Sequence, residues 1–230
     1  TSSLVGSEMC IRDRLRNVFC GGYVRSNRFY SFIPFDNVAS YDFASSYPAQ
    51  MLMCNFPFNF KMRENDKTAY LKYIIEKNNA YIKYKGGVLQ WYLTTPQKTL
   101  NTYFMCELIV TNLKIKRFNN HNELPFLSVS KCSDYDVKTM KSSNGRVMRA
   151  DKITLYLTSY DYIALTLFYD FEIYECKKLL YTRKNAKLPT YVTNSINNYA
   201  KQKVIFKKLK NSDNVDAITK EDFNFNDKCV

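Results

Sequence analysis

Glycine and proline, the residues that most often interrupt helices and strands, are scarce in this chain. Only 6 glycines and 6 prolines occur among its 230 residues. Because each one marks a turn or the end of an element, their positions divide the sequence into segments. The dividing positions are Gly21-Gly22, Pro34, Pro57, Gly86-Gly87, Pro125, Gly145 and Pro189. No segment repeats another, and this excludes a repeat architecture.

Composition and charge limit the class of protein. The hydrophobic share of 46% is typical of a globular chain, and 230 residues suffice for one large domain or two small ones. No apolar run approaches the roughly 18 to 20 residues that a membrane-spanning helix needs. The formal net charge of +13 favours a polyanion as partner. We therefore expect a soluble, cytoplasmic protein with no membrane partner.

The cysteines and the single histidine argue against a zinc site. Of 7 cysteines, six remain when Cys10 in the unusual first segment is set aside, and none forms a C-x-x-C pair. His121 lies in the polar stretch NNHNELP, which is typical of a solvated loop. Zinc would therefore have too few ligands, and reduced thiols are expected.

Four segments predict strands. Residues 104–116 alternate between apolar and polar side chains, and residues 126–131 predict a second strand after the NNHNELP turn. We expect these two to form an antiparallel hairpin. Residues 152–157 and 171–176 also have the composition of strands. Between the last two, Thr158 and Asp161 have the spacing of a capping box, which predicts a helix over 159–169.

Two further helices are predicted, one before and one after these strands in the sequence. Pro48 follows Ser45 and Ser46 as it would just inside a helix N-terminus, so residues 37–43 predict a strand, then a sharp turn and a helix over 45–53. A second helix is indicated by an apolar stripe at helical spacing: Val192, Ile196, Tyr199 and Phe206. Its lysines fit either a solvated face or a binding surface. The fold class expected from these elements is α+β with an antiparallel sheet.

One motif indicates chemistry. The segment YDFASSYPAQM, residues 41–51, resembles the first palm motif of family B DNA polymerases, D-x-x-S-x-Y-P. Asp42, Ser45, Tyr47 and Pro48 fall at the offsets of that motif. The Ala-Gln-Met continuation is most similar to the protein-primed branch found in bacteriophages, adenoviruses and linear plasmids.

Three other regions resemble the same branch in the same order. FCGG, residues 19–22, is similar to the Y-x-G-G segment that joins the exonuclease and polymerase domains, with phenylalanine in place of tyrosine. Cys106-Glu107 and the apolar alternation after it resemble the palm strand that follows the first motif. KSSNG, Ala150-Asp151 and LTSYDYIALTLFYDF resemble the segment that leads into the terminal-protein-binding insertion. Residues 61–97 have no counterpart and are interpreted as a lineage-specific insertion.

The resemblance implies consecutive regions. Residues 15–135 correspond to a partial palm with the first catalytic motif, 136–215 to a terminal-protein-region-like insertion, and 216–230 to the lead-in to the fingers. Residues 1–14 are set apart, because one reverse translation of SLVGSEMCIRDR resembles a transposase sequencing adapter. The fingers motif K-x-x-x-N-S-x-Y-G and the second palm motif D-T-D-S do not occur. We therefore expect the chain alone not to add nucleotides.

The resemblance also implies a site for template-directed deoxynucleotidyl transfer with two Mg²⁺ ions. Asp42 is the catalytic residue expected to bridge both metals, and Phe43 would add its backbone carbonyl. Carboxylate and carbonyl oxygens are the ligands that Mg²⁺ prefers. Ser45 and Ser46 would line a helix N-terminus that receives the triphosphate. Tyr47 would pack beneath the incoming sugar, where a 2′-hydroxyl would collide.

A second set of residues is expected to contact DNA. Gly21 and Gly22 would let the backbone approach a template strand, although an ordinary tight turn has the same sequence. Basic side chains suited to phosphate contacts are Arg25, Arg28, Lys141, Arg146 and Arg149. Such contacts position nucleic acid without reading its sequence.

The expected partners follow from the same resemblance. They are a DNA template-primer, deoxynucleoside triphosphates and a terminal protein whose hydroxyl primes synthesis, in the host cytoplasm if the source is viral. The alternative is a non-catalytic nucleic-acid-binding protein with a degenerate palm. A family B polymerase primed by RNA is disfavoured by the insertion-like segment 141–211.

Overall fold

The structure is a computed structural model that describes residues 34, 46–94, 99–116 and 125–210. The chain divides into two compact units. The larger unit contains Asn59–Lys184, and the described part of the smaller unit consists of residues 46–58 and 185–210. Five α-helices occur among the described residues, together with antiparallel strands. The fold class is therefore α+β, as the sequence predicts.

The larger unit is organised by three long strands: β3 (Tyr103–Ile115), β6 (Arg146–Thr158) and β7 (Tyr169–Thr182). Strand β3 lies in the middle and pairs antiparallel with both of the others. Three short strands complete the sheet, namely β2 (Lys61–Arg63) on β7, and β4 (Cys132–Ser133) and β5 (Lys141–Ser143) on β6. The described helices of the larger unit are α2 (Lys67–Tyr84), α3 (Val88–Thr94) and α4 (Ser159–Phe168), and those of the smaller unit are α1 (Ser46–Met53) and α5 (Thr190–Lys210).

Helix α4 connects β6 to β7, which lie on either side of β3 and run parallel to each other. The connection begins beside Met105, the partner of Thr158, and ends beside Ile115, the partner of Tyr169. Ten residues of extended strand cover about 33 Å, whereas a ten-residue helix covers only about 15 Å. Strand β3 must therefore bend. Asn112, at φ 55°, lies within a break in the β3–β7 register, where such a bulge bends a strand.

The main core lies on one face of this sheet. Alternate residues of β3, from Phe104 to Val110, are buried there together with Leu71 and Ile74 of α2 and Leu165 of α4. A smaller apolar cluster joins Ile82 and Trp91 to Leu100 and Tyr103. Burying such side chains is the main favourable term in folding. Residues 61–97 thus contribute two helices to the core of the larger unit.

The smaller unit has its own local structure. Strand β1 (Phe56–Pro57) pairs antiparallel with β8 (Asn185–Ala186). Helix α5 covers the predicted stripe, of which Val192 and Ile196 are half-buried and Tyr199 is exposed. None of the helices in the described ranges combines the length and apolar character that a membrane crossing needs.

The structure confirms several predicted elements and corrects one. Strand β3, the capping box of Thr158 and Asp161, and helix α5 occur where the sequence predicts them. The hairpin between residues 104–116 and 126–131 is wrong. Residues 126–131 contain an isolated bridge at Ser128 and a 3₁₀ helix over Val129–Lys131, while β3 takes both its partners from later in the chain. The predicted strand over 37–43 lies outside the described residues.

Candidate nucleic-acid interface

Most of the residues expected to carry the chemistry lie outside the described part of the chain. These are Gly21, Gly22, Arg25, Arg28, Asp42, Phe43 and Ser45. Their roles stay predictions. Ser46 is the first residue of α1, and Tyr47 is the second. The Tyr47 side chain is 77% exposed, so its ring is not part of an apolar core in the smaller unit. The proposed contact of that ring with a sugar likewise stays a prediction.

The three remaining candidates lie together in the larger unit, on β5 and β6. Lys141 is the cross-strand partner of Arg149, and Arg149 is in turn the partner of Lys114 on β3. The side chains of Lys114, Lys141 and Arg149 are exposed, whereas that of Arg146 is half-buried. Directly paired residues of antiparallel strands lie on the same face with their Cβ atoms about 5 Å apart. The sheet therefore holds a row of three cations across three neighbouring strands. We call Lys114, Arg149 and Lys141 the cationic row.

A tight turn holds the outer member of the row in place. Ser143 pairs with Arg146, leaving Asn144 and Gly145 as the two turn residues. Their φ angles are 49° and 69°, and a type I′ turn requires positive φ at both positions. Asparagine and glycine adopt this conformation most easily. The turn sets the pairing of Ser142 and Ser143 with β6, and a register shift between Lys141 and Ser142 then places Lys141 beside Arg149.

Arg146 has a structural contact as well as a charge. Its Nη1 donates to the carbonyl oxygen of Phe126 at 2.8 Å, and its side chain is half-buried. The backbone of the same segment is held by Val147 N, which donates to Leu127 O at 2.9 Å. Arg146 therefore fastens the segment before the 3₁₀ helix to the sheet. Its predicted contact with DNA stays a prediction.

Two carboxylates lie near the cationic row. Arg149 Nη2 lies 3.3 Å from Asp151 Oδ1, and these side chains are 58% and 54% exposed. Asp170 is the cross-strand partner of Lys114 on its other side and lies 3.6 Å from Lys116 Nζ. Ion pairs this exposed contribute little, typically below about 1 kcal/mol. The guanidinium and ammonium groups of the row therefore keep access to solvent and to an anionic ligand.

Like charges placed directly opposite each other destabilise a sheet. Asp151 and Asp170 offset two of the three charges of the row, and an anion lying against the row would offset the third. A backbone phosphate of DNA supplies such an anion, since arginine and lysine neutralise phosphates and release the counterions condensed on the duplex. The surplus of positive charge over the whole chain, +13, acts in the same direction by attracting polyanions. This arrangement suits phosphate contact.

A second polar group lies further along the sheet. Lys178 Nζ lies 2.7 Å from the buried Glu107 Oε2 and forms an ion pair without hydrogen-bond geometry. Lys177 Nζ donates to Asp134 Oδ2 at 3.0 Å, which lowers the pKa of Asp134 and raises that of Lys177. Every lysine here faces a carboxylate. This group has two lysines and two carboxylates, whereas the cationic row has three cations and two nearby carboxylates.

The expected magnesium site cannot be assembled from the described residues. Within them, no group of three or more histidine, cysteine, aspartate or glutamate side chains is placed to hold a metal ion. The expected ligands, Asp42 and Phe43, lie outside those ranges. We therefore derive no catalytic step through a metal.

Comparison of the chain with protein-family models, with curated proteins and with solved structures found no match. The case for a function thus depends on the residues themselves.

Sequence reasoning found two members of the cationic row and missed the third. Lys114 lies within a strand that alternates apolar and polar residues, where a lysine is typical of a solvated face. Only the register of β3 on β6 brings it beside Arg149. The Asn144-Gly145 dipeptide, a strong short-range sign of a hairpin, signals only the pairing of β5 with β6 and does not locate Lys114.

Proposed function

We propose that this chain is part of a protein-primed family B DNA polymerase and that DNA lies against the larger unit, where strand β3 of the palm region pairs with β6 and β7 of the insertion-like segment. The observation that carries the proposal is the cationic row, three exposed cations held side by side by strand register. The first palm motif around Asp42 supports the same function from the sequence. An antiparallel sheet with helices packed on one face is compatible with a palm.

In this proposal the row positions DNA by its phosphates, and the chemistry belongs to the motif at residues 41–51. Template-directed deoxynucleotidyl transfer would proceed from a hydroxyl of a terminal protein and then from the growing DNA end. Phosphoryl transfer of this kind depends mainly on positioning and on neutralising charge. Two Mg²⁺ ions would supply that neutralisation, with Asp42 and the carbonyl of Phe43 as ligands. Ser45, Ser46 and Tyr47 would hold the incoming nucleotide.

The DNA-binding part is tested on the chain itself. A fluorescent duplex is titrated with the parent protein and with Lys114→Gln/Lys141→Gln/Arg149→Gln at several salt concentrations. Each phosphate contact contributes about 0.9 to the slope of log K against log salt. We expect the slope to fall by about 2 to 3. A matched triple variant, Lys72→Gln/Lys83→Gln/Lys138→Gln, removes the same charge from exposed positions elsewhere. Equal losses for the two variants would contradict a localised interface.

The catalytic part needs a separate test. In a protein that also carries the fingers and second palm motifs of the family, Asp42→Asn should abolish Mg²⁺-dependent nucleotide addition while leaving duplex binding intact. Tyr47→Val in the same protein should raise incorporation of ribonucleotides relative to deoxynucleotides. Duplex binding without any synthesis in the unsubstituted extended protein would favour the alternative, a non-catalytic nucleic-acid-binding protein with a degenerate palm.

A further inference from the structure

A pocket of about 300 Å³ lies at the edge of the sheet in the larger unit, away from the residues assigned above. It is formed where β2 pairs with the end of β7 and where α2 begins. Lys61 is the cross-strand partner of Tyr181, and Tyr70 of α2 completes the wall. Residues 61–97, which have no counterpart in the resemblance, therefore build one side of the pocket.

The pocket has an aromatic wall. The ring centroids of Tyr70 and Tyr181 are 4.9 Å apart at an interplanar angle of 65°, an edge-to-face pair. The Arg63 guanidinium lies 4.7 Å from the centroid of the Tyr70 ring. Partial burial, followed by a hydrogen bond with Tyr181, raises the pKa of Tyr70. Tyr73 also stacks on Tyr70, with ring centroids 6.0 Å apart. Both phenols of the wall are neutral at physiological pH, as tyrosines ordinarily are, so the wall carries no negative charge.

Three of the other five lining residues are cationic, and the remaining two are Asn59 and Thr182. Lys61, Arg183 and Lys184 line the pocket and are exposed to solvent, and no aspartate or glutamate is among its lining residues. The volume is near the lower end of the range of small-ligand pockets, about 300 Å³. Aromatic ring surface flanked by lysine and arginine is the combination with which proteins hold unpaired nucleotides, by stacking the base and neutralising the phosphate.

We propose that this pocket binds one nucleotide of a single-stranded nucleic acid, with the base against the Tyr70–Tyr181 wall and phosphates on Lys61, Arg183 and Lys184. A paired base cannot enter, because its ring faces are covered by its neighbours in the stack. The inference deepens the proposed function and rests on it, since it gives a nucleic-acid-binding chain a second site with a different strand preference. The cationic row binds duplex backbone, and the pocket binds an unpaired strand.

The first test compares two variants with equal charge. Lys61→Gln/Lys184→Gln changes the pocket, whereas Lys83→Gln/Lys138→Gln removes two exposed lysines elsewhere in the larger unit. A fluorescent dT₁₂ strand is titrated at several salt concentrations. Each contact with a single strand contributes about 0.7 to the slope of log K against log salt. The slope of the pocket variant should therefore be smaller by about 1.4, and this variant should bind dT₁₂ at least threefold more weakly. The control variant should keep the parent slope, and both should bind duplex like the parent.

The second test identifies the wall directly. A dT₁₂ strand with one 5-iododeoxyuridine is irradiated in complex with the parent protein, and the adducts are mapped by mass spectrometry. We expect adducts at Tyr181 or Tyr70. Adducts only elsewhere, or an unchanged salt slope in the pocket variant, would overturn the proposal. Full competition by dTMP at the same nucleotide concentration would also overturn it in favour of a free-nucleotide site. If the parent protein binds neither dT₁₂ nor duplex, the proposed function itself fails.

Discussion

The side-chain amide of Asn78 forms two hydrogen bonds with the backbone of Thr102. Asn78 Nδ2 donates to Thr102 O at 2.8 Å, and Asn78 Oδ1 accepts from Thr102 N at 3.1 Å. Both residues are buried, and they are 24 positions apart in the chain. The contact joins α2 to the residue just before β3. It therefore ties the segment 61–97 to the central strand of the larger unit.

Replacing Asn78 with alanine should destabilise the protein by about 2 to 4 kcal/mol, because the N–H and C=O of Thr102 lose their partner in a buried position. The melting temperature should fall by roughly 5 to 15 °C. Asn79→Ala is the matched control, since Asn79 is the next residue of the same helix and is exposed. Thermal unfolding of the two variants gives the comparison. Equal melting temperatures would show that the paired hydrogen bonds contribute nothing to stability.

The same residue shows why part of the fold could not be predicted. Leu71, Ile74, Asn78 and Ile82 are the buried residues of α2 and lie at helical spacing. The asparagine interrupts what would otherwise be an apolar stripe. Its burial is compensated only by the backbone of Thr102, a tertiary contact that the sequence does not reveal. Residues 61–97 are interpreted as an insertion because they have no counterpart in the resemblance, and their contribution to the core is not predicted.

Local signals were reliable where the interaction is local. The capping box of Thr158 and Asp161 involves residues three apart, so both its presence and the helix after it follow from the sequence. Pairing of β3 is different, because β6 and β7 come more than 30 residues later in the chain. The rule that neighbouring strands pair favoured residues 126–131 instead. The cationic row depends on that distant pairing, and Lys114 was missed for this reason.

Asp161→Asn should destabilise the protein by about 2 to 3 kcal/mol. Asp161 Oδ2 accepts from Thr158 N at 3.0 Å and from Thr158 Oγ1 at 2.7 Å, while Asp161 Oδ1 lies 3.0 Å from Lys131 Nζ. The Lys131 side chain is only 8% exposed, so the substitution leaves a buried ammonium without its counter-charge. Urea unfolding measures the loss. Asp170→Asn, in the exposed pair with Lys116, should cost less than about 0.5 kcal/mol, and a similar loss for both would contradict this account.

Stability should fall at alkaline pH in part because of Tyr162. Burial, with a smaller contribution from Cys106, raises the pKa of Tyr162 to about 12, above the ordinary tyrosine value of 10.0. The unfolded chain therefore loses the phenol proton first. The contribution of the protonated Tyr162 phenol to the free energy of unfolding is fully present below about pH 10 and disappears as the pH rises through 12. About 1 kcal/mol of it is lost at pH 11.

Tyr162→Phe should remove that part of the alkaline loss. Urea unfolding at pH 8 and pH 11 should show a smaller difference for the variant than for the parent protein, by about 1 kcal/mol. Tyr84→Phe is the control, because its ring is 83% exposed and should leave the difference unchanged. Identical alkaline losses for the parent protein and the Tyr162 variant would show that ionisation of Tyr162 does not govern this pH range.

The Asn144-Gly145 turn links folding to the cationic row, and its glycine provides the sharpest test of that link. A Cβ at Gly145 would meet no atom within 4 Å, so the cost of a side chain comes from the φ of 69° alone. Gly145→Val should therefore cost about 1 to 2 kcal/mol, since a β-branched residue avoids the left-handed region. Duplex affinity should fall although no charge is removed, because Lys141 is no longer held beside Arg149. Asn144→Gly keeps the turn and should bind duplex like the parent protein. Unchanged affinity in the Gly145 variant would mean that Lys141 contacts DNA without needing the turn, or does not contact it.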